Sequence, residues 1–142
     1  MKHQTIKGNA TTIVAVCDAG DEAVSVLRDI ARLQKITAAR ITAIGAFSKA
    51  TVAFFDLSIK DYVKIPVNEQ VEVLSLIGDI SVYEGKPKIH VHVTLGRPDG
   101  STIGGHLMEG TVNPTLEIII DQIPITIERR LDQKTGLPLI HI

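Results

Sequence analysis

Three of the five histidines of this chain lie in one central stretch, in His90-Val91-His92 and, after a turn, in Gly104-Gly105-His106. Residues 89–95 alternate between apolar and polar types, a pattern typical of a strand with one buried face. Because side chains two apart on a strand share a face, His90 and His92 point to the same side. Imidazoles grouped in this way are ligands for zinc and other first-row divalent metals.

The turn between the two segments decides whether the third histidine joins that face. A two-residue Asp99-Gly100 turn would pair Pro98 with Ser101, although proline has no N–H to give to a ladder. A three-residue loop, Pro98-Asp99-Gly100, instead puts proline first in a type I turn and glycine in the left-handed position. The sequence therefore favours the longer loop, with Arg97 facing Ser101.

This loop sets the register of the hairpin. Counting back along both strands places His92 opposite His106, and His90 lies on the adjacent diagonal. We therefore expect the three histidines to share one face. A bulge at Gly104 or Gly105 would change that count, and the same glycines would let another backbone or a ligand come close.

The predicted metal ligands are thus His90, His92 and His106. Three protein ligands with a fourth position left open is the pattern of catalytic rather than structural zinc. Such a metal would polarise a carbonyl or activate water, with Glu109 or Glu72 as candidate catalytic groups that handle protons. The alternative is that the histidines are surface residues of a hairpin and that both glutamates are solvated carboxylates.

Composition indicates a single globular domain. The chain has 142 residues, of which 44% are hydrophobic and only 4% aromatic, so its core is aliphatic and typical of a sheet-rich protein. The one cysteine, Cys17, excludes an internal disulfide and is predicted to be a buried small residue. The N-terminal residues have no apolar core of signal-peptide length, and no apolar run approaches membrane-spanning length. These features predict a cytoplasmic protein.

Charge does not indicate a nucleic-acid-binding surface. The formal net charge is −1, whereas a protein that holds DNA by its backbone needs a basic face. We interpret the basic residues as dispersed, solvated surface charges, and the chain has no phosphate-binding glycine loop. They are Arg28, Arg32, Lys35 and Arg40, then Lys86 and Lys88, and finally Arg129 and Arg130.

The elements that position the histidines belong to an α+β class. Gly20-Asp21-Glu22 opens one main N-terminal helix, whose apolar stripe extends to about Lys35. Ile118-Ile119-Ile120 is apolar on both faces, so its strand is central or lies in a subunit contact. We predict a single domain with a mixed, strongly curved β-sheet. The expected strands span residues 12–16, 41–46, 51–55, 71–77, 80–83, 116–120 and 125–128, together with a hairpin over 89–108.

The histidine segment resembles a known family. Residues 85–96 and 104–107 resemble the plants-and-prokaryotes conserved (PPC) domain, and the chain is similar to its stand-alone prokaryotic members. Residues 73–81, the early helix and the run at 43–46 also fit the family. The resemblance covers residues 5–128 and leaves 129–142 as a C-terminal tail.

The resemblance implies a compact homotrimer with a fold similar to that of acetolactate decarboxylase. It also implies that His90, His92 and His106 hold a metal, zinc or a similar ion, near a subunit boundary. In plants the domain is fused to DNA-binding hooks, so the family implies a DNA-binding or regulatory role. The alternative is a zinc-dependent hydrolase or lyase acting on a small carbonyl-containing metabolite, which an open metal site without a basic face favours.

Overall fold

The computed structural model describes residues 2–7 by their backbone and residues 11–141 in full. Along this part of the chain lie one helix and nine strands, and every strand joins the same sheet. In chain order the elements are β1 (Lys2–Lys7), β2 (Thr11–Cys17), α1 (Ala23–Leu33), β3 (Ala39–Asp56), β4 (Asp61–Val67), β5 (Val71–Tyr83), β6 (Lys86–Gly96), β7 (Thr102–Gln122), β8 (Glu128–Leu131) and β9 (Pro138–His141).

The sheet curves until it closes on itself. Its strands follow the order β1-β2-β7-β3-β5-β8-β9, and β4 pairs with β3. Because β6 pairs with both β5 and β7, the strands β3, β5, β6 and β7 form a closed circuit. Among the described strands only β8 runs parallel to its neighbour, β5, so the sheet is mixed and curved as predicted.

Bulges allow long strands to follow this curve. The pairing of β3 with β7 shifts register at three points between Gly45 and Val52. A Cβ at Gly45 would lie 2.3 Å from the carbonyl oxygen of Thr115, so only glycine allows the backbones to approach here. The prediction of separate strands at 41–46 and 51–55 was wrong, because one bulged strand, β3, spans both.

Helix α1 covers one side of the closed sheet. The carboxylate of Glu22 caps its first turn and accepts hydrogen bonds from the backbone N–H groups of Val24 and Ser25 at 3.0 and 2.8 Å. The helix ends two residues before the predicted Lys35. Its apolar stripe packs into an aliphatic core that also contains Cys17, which is buried as predicted. Burial raises the pKa of the Cys17 thiol to about 11.

Strand β7 separates a buried face from an exposed apolar one. It lies between β2 and β3, so it is central, and Ile118 and Ile120 are fully buried. Ile119, between them, is 45% exposed. It belongs to what we call the outer apolar face, a surface concavity of about 420 Å³ whose lining includes Val14, Val16, Ile44, Leu74, Ile77 and Ile119. Among the described residues, no helix is both long and apolar enough to cross a membrane.

Candidate metal centre

The hairpin between β6 and β7 has the register that its turn residues predict. The N–H of Arg97 donates to the carbonyl oxygen of Ser101 at 2.9 Å, and the N–H of Gly100 donates to the carbonyl oxygen of Arg97 at 2.9 Å. Gly100 has a φ of +82°, the left-handed conformation that this loop needs. His92 is therefore paired with His106. The prediction of a three-residue loop is confirmed.

This register brings the three histidines together. One ring nitrogen from each of His90, His92 and His106 lies within 4.8 Å of the others. The ring centroids are 5.0, 5.4 and 5.6 Å apart. Three nitrogens that each lie about 2.1 Å from one tetrahedral metal are about 3.4 Å from one another, so the rings would have to rotate inward to bind it. The predicted convergence on one face is confirmed, while metal ligation by these residues stays a prediction.

Two glycines place β7 close to its neighbours beside His106. A Cβ at Gly105 would lie 2.7 Å from the carbonyl oxygen of Ala53, and one at Gly104 would lie 2.6 Å from that of Val93. The pairing of β6 with β7 shows no register shift from Gly96 to His92, so the glycines serve close packing rather than a bulge in this hairpin. His106 is consequently held between β3 and β6.

The His106 ring is partly buried and packs beside a tyrosine. Its centroid lies 4.8 Å from that of the Tyr62 ring, which β4 contributes. Burial, together with the positive charges that His90, His92 and Lys88 carry when protonated, lowers the pKa of His106 to about 4. Its Nδ1 is buried and has no hydrogen-bond partner among the described residues. A neutral imidazole with an unpartnered nitrogen suits a metal ligand.

The His92 ring is the most exposed of the three, yet it too favours the neutral form. Burial first, and then the charge of His90, lower the pKa of His92. Its ring meets both neighbouring imidazoles nearly edge-on, at 84° and 82°. Because only the unprotonated ring nitrogen can bind a metal, these shifts keep the cluster ready for a cation near neutral pH.

His90 has a polar support that the sequence did not reveal. It pairs across the sheet with Asp79, and its Nδ1 lies 3.6 Å from Asp79 Oδ2. Arg129 Nη2 donates to both carboxylate oxygens of Asp79, at 2.9 and 2.8 Å, and lies 3.2 Å from His90 Nδ1. The Arg129 side chain is only 6% exposed, so its interpretation as a solvated surface charge was wrong.

The charge of Asp79 is secured within this group. Burial acts to raise the pKa of Asp79, but hydrogen bonds from His90 and Arg129, and the charge of Arg129, outweigh it and hold the pKa below its usual value. Ser81, fully buried, donates to Asp79 Oδ1 at 3.0 Å and accepts from Arg129 Nε at 2.7 Å. Asp79 is therefore an ionised acceptor beside the histidines.

The cluster opens onto a cavity of about 550 Å³. His90 and His92 line it together with Asp79, and Ile77 belongs both to this cavity and to the outer apolar face. Arg40 also lines it, with its guanidinium donating to Asp121 at 2.8 Å. A small molecule in this cavity would therefore contact His90 and His92.

The two glutamates predicted to handle protons lie elsewhere. Glu109 accepts a hydrogen bond from Thr51 Oγ1 at 2.8 Å and lines a separate polar cavity. Glu72 pairs with Gly96, four residues along β6 from His92, which corresponds to about 13 Å of strand. The structure brings neither glutamate to the histidines, and the carboxylate that contacts the cluster is that of Asp79.

Comparison with known families places this site in context. A model of the Plants and Prokaryotes Conserved domain, abbreviated PCC or PPC, matches residues 4–124. The chain belongs to this family. The matched PPC segment contains all three histidines and Asp79, and it ends before Arg129.

Solved structures share the whole PPC fold with this chain. A metal-containing protein from Archaeoglobus fulgidus is 33% identical, with a TM-score of 0.87 over 99% of this chain and 97% of its own. A protein from Bacteroides thetaiotaomicron described as a "putative DNA-binding protein" is 28% identical, with a TM-score of 0.89 over 98% of this chain and 96% of its own.

Two further comparisons show only partial likeness. A Staphylococcus aureus protein described as similar to α-acetolactate decarboxylase has a TM-score of 0.55 over 78% of this chain and 52% of its own, at 12% identity. The predicted similarity to that fold is therefore partial. Among curated proteins, the bifunctional protein GlmU of a Synechococcus strain is 31% identical over 119 residues, 82% of this chain. The chain spans only 18% of the length of that relative.

Proposed function

We propose that this PPC-domain protein binds a first-row divalent metal, zinc foremost, through His90, His92 and His106. The observation that carries the proposal is the approach of one ring nitrogen from each residue to within 4.8 Å of the others. The unpartnered, buried Nδ1 of His106 adds support, because a buried ring nitrogen ordinarily has a hydrogen-bond partner. The metal-containing relative from Archaeoglobus fulgidus is consistent with this assignment.

A second candidate function is hydrolysis or lyase chemistry on a small carbonyl-containing metabolite. The open cavity beside His90 and His92 favours it, since three histidines leave a fourth position of tetrahedral zinc for a ligand. When bound, the metal would polarise a carbonyl or activate water. Ile77 would shield the substrate from solvent, and Arg40 would attract an anionic group on it. The ionised Asp79 would hold the ring of His90 rather than donate a proton.

We further propose that the protein forms a homotrimer through the outer apolar face. Ile44, Leu74 and Ile77 are each more than half exposed in the single chain, and a subunit contact would bury them. Because Ile77 also lines the histidine cavity, each site would lie near a subunit boundary. Sedimentation at several concentrations tests this, and Ile77→Glu should shift the trimer toward monomer, whereas Ile125→Glu, at an exposed site off that face, should not.

A DNA-associated or regulatory role is the alternative that the Bacteroides thetaiotaomicron relative suggests. The net charge of −1 and the burial of Arg129 in an ion pair with Asp79 give it no electrostatic support. Binding to DNA fragments, titrated at several salt concentrations, tests the role. A linear loss of affinity with the logarithm of salt concentration would support it, and no binding even at low salt would exclude it.

The decisive experiment is metal content by elemental mass spectrometry. We expect about one zinc or similar ion per chain in untagged wild type, and its loss in His92→Ala. His141→Ala is the matched control, because His141 lies on β9 near Arg130 and outside the cluster. Wild-type protein that retains no metal after incubation with zinc and dialysis would refute the proposal. Equal turnover of small esters or 2-keto acids by metal-free and metal-loaded protein would refute the enzymatic candidate alone.

A further inference from the structure

We propose that the C-terminal arm, residues 127–141, is a working part of the metal centre. Through Arg129 it fixes Asp79 as the acceptor for the Nδ1–H of His90, which leaves Nε2 of His90 for the metal. This inference rests on the proposed metal-binding function and deepens it. It concerns residues beyond the segment, 4–124, that matches the family model.

The arm is fastened to the body of the protein next to the histidines. The carbonyl oxygen of Ile127 accepts a hydrogen bond from the N–H of Val82 at 2.8 Å, one residue from Ser81. Arg129 Nη1 donates to the carbonyl oxygen of Pro138 at 3.0 Å, so its guanidinium joins both strands of the β8–β9 hairpin. The arm thereby keeps the Arg129 side chain buried, at 6% exposure.

The guanidinium has a single anionic partner among the described residues, Asp79. Its Nε and Nη2 donate to Ser81 and to Asp79, and Ser81 in turn donates to Asp79. Every contact around the carboxylate therefore comes from a donor, and the carboxylate is held in one orientation. Removing Asp79 would leave the charge of Arg129, only 6% exposed, without a partner, whereas Asp79, 28% exposed, would keep contact with solvent if Arg129 were removed.

Metal binding then selects between the two tautomers of His90. Nδ1 has two polar neighbours, Arg129 Nη2 at 3.2 Å and Asp79 Oδ2 at 3.6 Å. A guanidinium can only donate and an ionised carboxylate can only accept, so Nδ1 accepts from Arg129 in one tautomer of His90 and donates to Asp79 in the other. A metal-binding imidazole keeps its proton on the nitrogen that faces away from the metal. Asp79 is therefore a positioning residue for His90, and Arg129 acts through Asp79.

The test is zinc affinity by chelator competition on the full chain, with folding of each variant checked by circular dichroism. We expect Arg129→Met and Asp79→Asn each to weaken zinc binding about 10- to 100-fold. Because Arg129 acts through Asp79, the double variant should be no weaker than Asp79→Asn alone. Arg130→Met, which removes the exposed neighbour on β8, is the matched control and should bind zinc like wild type.

A second measurement separates positioning from a general structural role. With Co²⁺ at saturating concentration, Arg129→Met should still show a three-histidine absorption spectrum, with band positions that differ from those of wild type. Arg129→Lys, which keeps the charge without the planar fork, should recover part of the affinity. If Arg129→Met fails to fold, Arg129→Lys and Asp79→Asn decide the question.

The possible results distinguish failure of the arm proposal from failure of the metal-binding proposal. Folded Arg129→Met with wild-type zinc affinity and an unchanged cobalt spectrum would overturn the role of the arm and leave the metal site intact. Additive losses in the double variant would overturn the route through Asp79. Wild-type protein that binds neither zinc nor cobalt would overturn the metal site itself, and the arm proposal with it.

Discussion

The two ends of the histidine cluster are held by different means. On the His106 side, backbones approach closely at Gly104 and Gly105, and the ring packs beside Tyr62 with a nitrogen left unpartnered. On the His90 side, the ring faces an ion pair between Asp79 and Arg129. The first side depends on shape and the second on charge, although their rings are only 5.4 Å apart.

This difference predicts what each side loses when it is mutated, stability or metal affinity. A packed backbone has no alternative arrangement nearby, so disturbing the His106 side should damage the fold and the site together. On the His90 side, Arg129→Lys keeps a positive charge beside Asp79 while it removes the planar fork, so it should lower metal affinity with little loss of stability. Variants that separate stability from affinity can therefore test the comparison.

The largest loss of stability is expected from substitution of Gly105. Gly105→Ala would place a Cβ 2.7 Å from the carbonyl oxygen of Ala53, which forces β7 away from β3. We expect the free energy of unfolding in urea to fall by about 2–4 kcal/mol, and zinc binding to be lost with it. Gly100→Asn is the control, since a Cβ there meets nothing and asparagine tolerates a positive φ. A stable Gly105→Ala protein that still binds zinc would show that close packing does not hold His106.

A smaller loss of stability is expected in acid, and it too depends on His106. The pKa of His106 is about 4 in the folded protein, against about 6.5 for an unfolded histidine. Between these values the unfolded chain binds more protons, so the stability of metal-free protein should fall as pH drops from about 6.5 toward 4. His106→Gln should flatten that slope in urea unfolding curves, while His141→Gln should not. Equal slopes for wild type and His106→Gln would contradict the buried, neutral state of the ring.

The smallest loss of stability is expected from substitution of Glu22, which links α1 to β7. The Glu22 carboxylate accepts hydrogen bonds from Val24, Ser25 and Gly110 backbone N–H groups, and Gly110 lies on the same strand as His106. Burial acts to raise the pKa of Glu22, but hydrogen bonds with the Ser25 side chain and with these backbone N–H groups outweigh it and lower the pKa. Glu22→Gln should cost about 1 kcal/mol of unfolding free energy at pH 7.

The difference in stability between wild type and Glu22→Gln should depend on pH. Because the folded-state pKa of Glu22 is depressed, its contribution is present above the usual glutamate value and is lost as pH falls through the lowered one. The gap between wild type and Glu22→Gln should therefore shrink in acid. Asp29→Asn, at an exposed position of α1, is the control and should match wild type. A gap that widens below pH 4 would contradict the assignment of these hydrogen bonds to the ionised carboxylate.

The sequence was sufficient for the local parts of this site. The turn residues Pro98-Asp99-Gly100 determine the hairpin register through their own backbone preferences, and that register alone aligns His92 with His106. The early helix and the burial of Cys17 follow similarly from short-range patterns. Each of these predictions depends on residues close together in the chain.

The parts that could not be predicted depend on distant contacts. Arg129 and Asp79 are 50 residues apart, and nothing around either one marks it as half of a buried pair. Strand β4 was not predicted, because its exposed charges and Pro66 obscure any alternation, and Tyr62 was missed with it. The continuity of β3 depends on bulges whose cause, the approach of Thr115 to Gly45, lies far along the chain.

Strand β7 has a consequence for the order in which the protein can fold. It pairs with β2, β3 and β6, and its partners include Thr12, which hydrogen-bonds to Asp121 across 109 residues of chain. Contacts this distant in sequence are slow to form, typically on the millisecond-to-second scale. During synthesis, a chain that has left the ribosome only as far as His92 has two of the three histidines and none of the strand that carries the third. Metal capture should therefore be a late event, which follows closure of the sheet rather than guiding it.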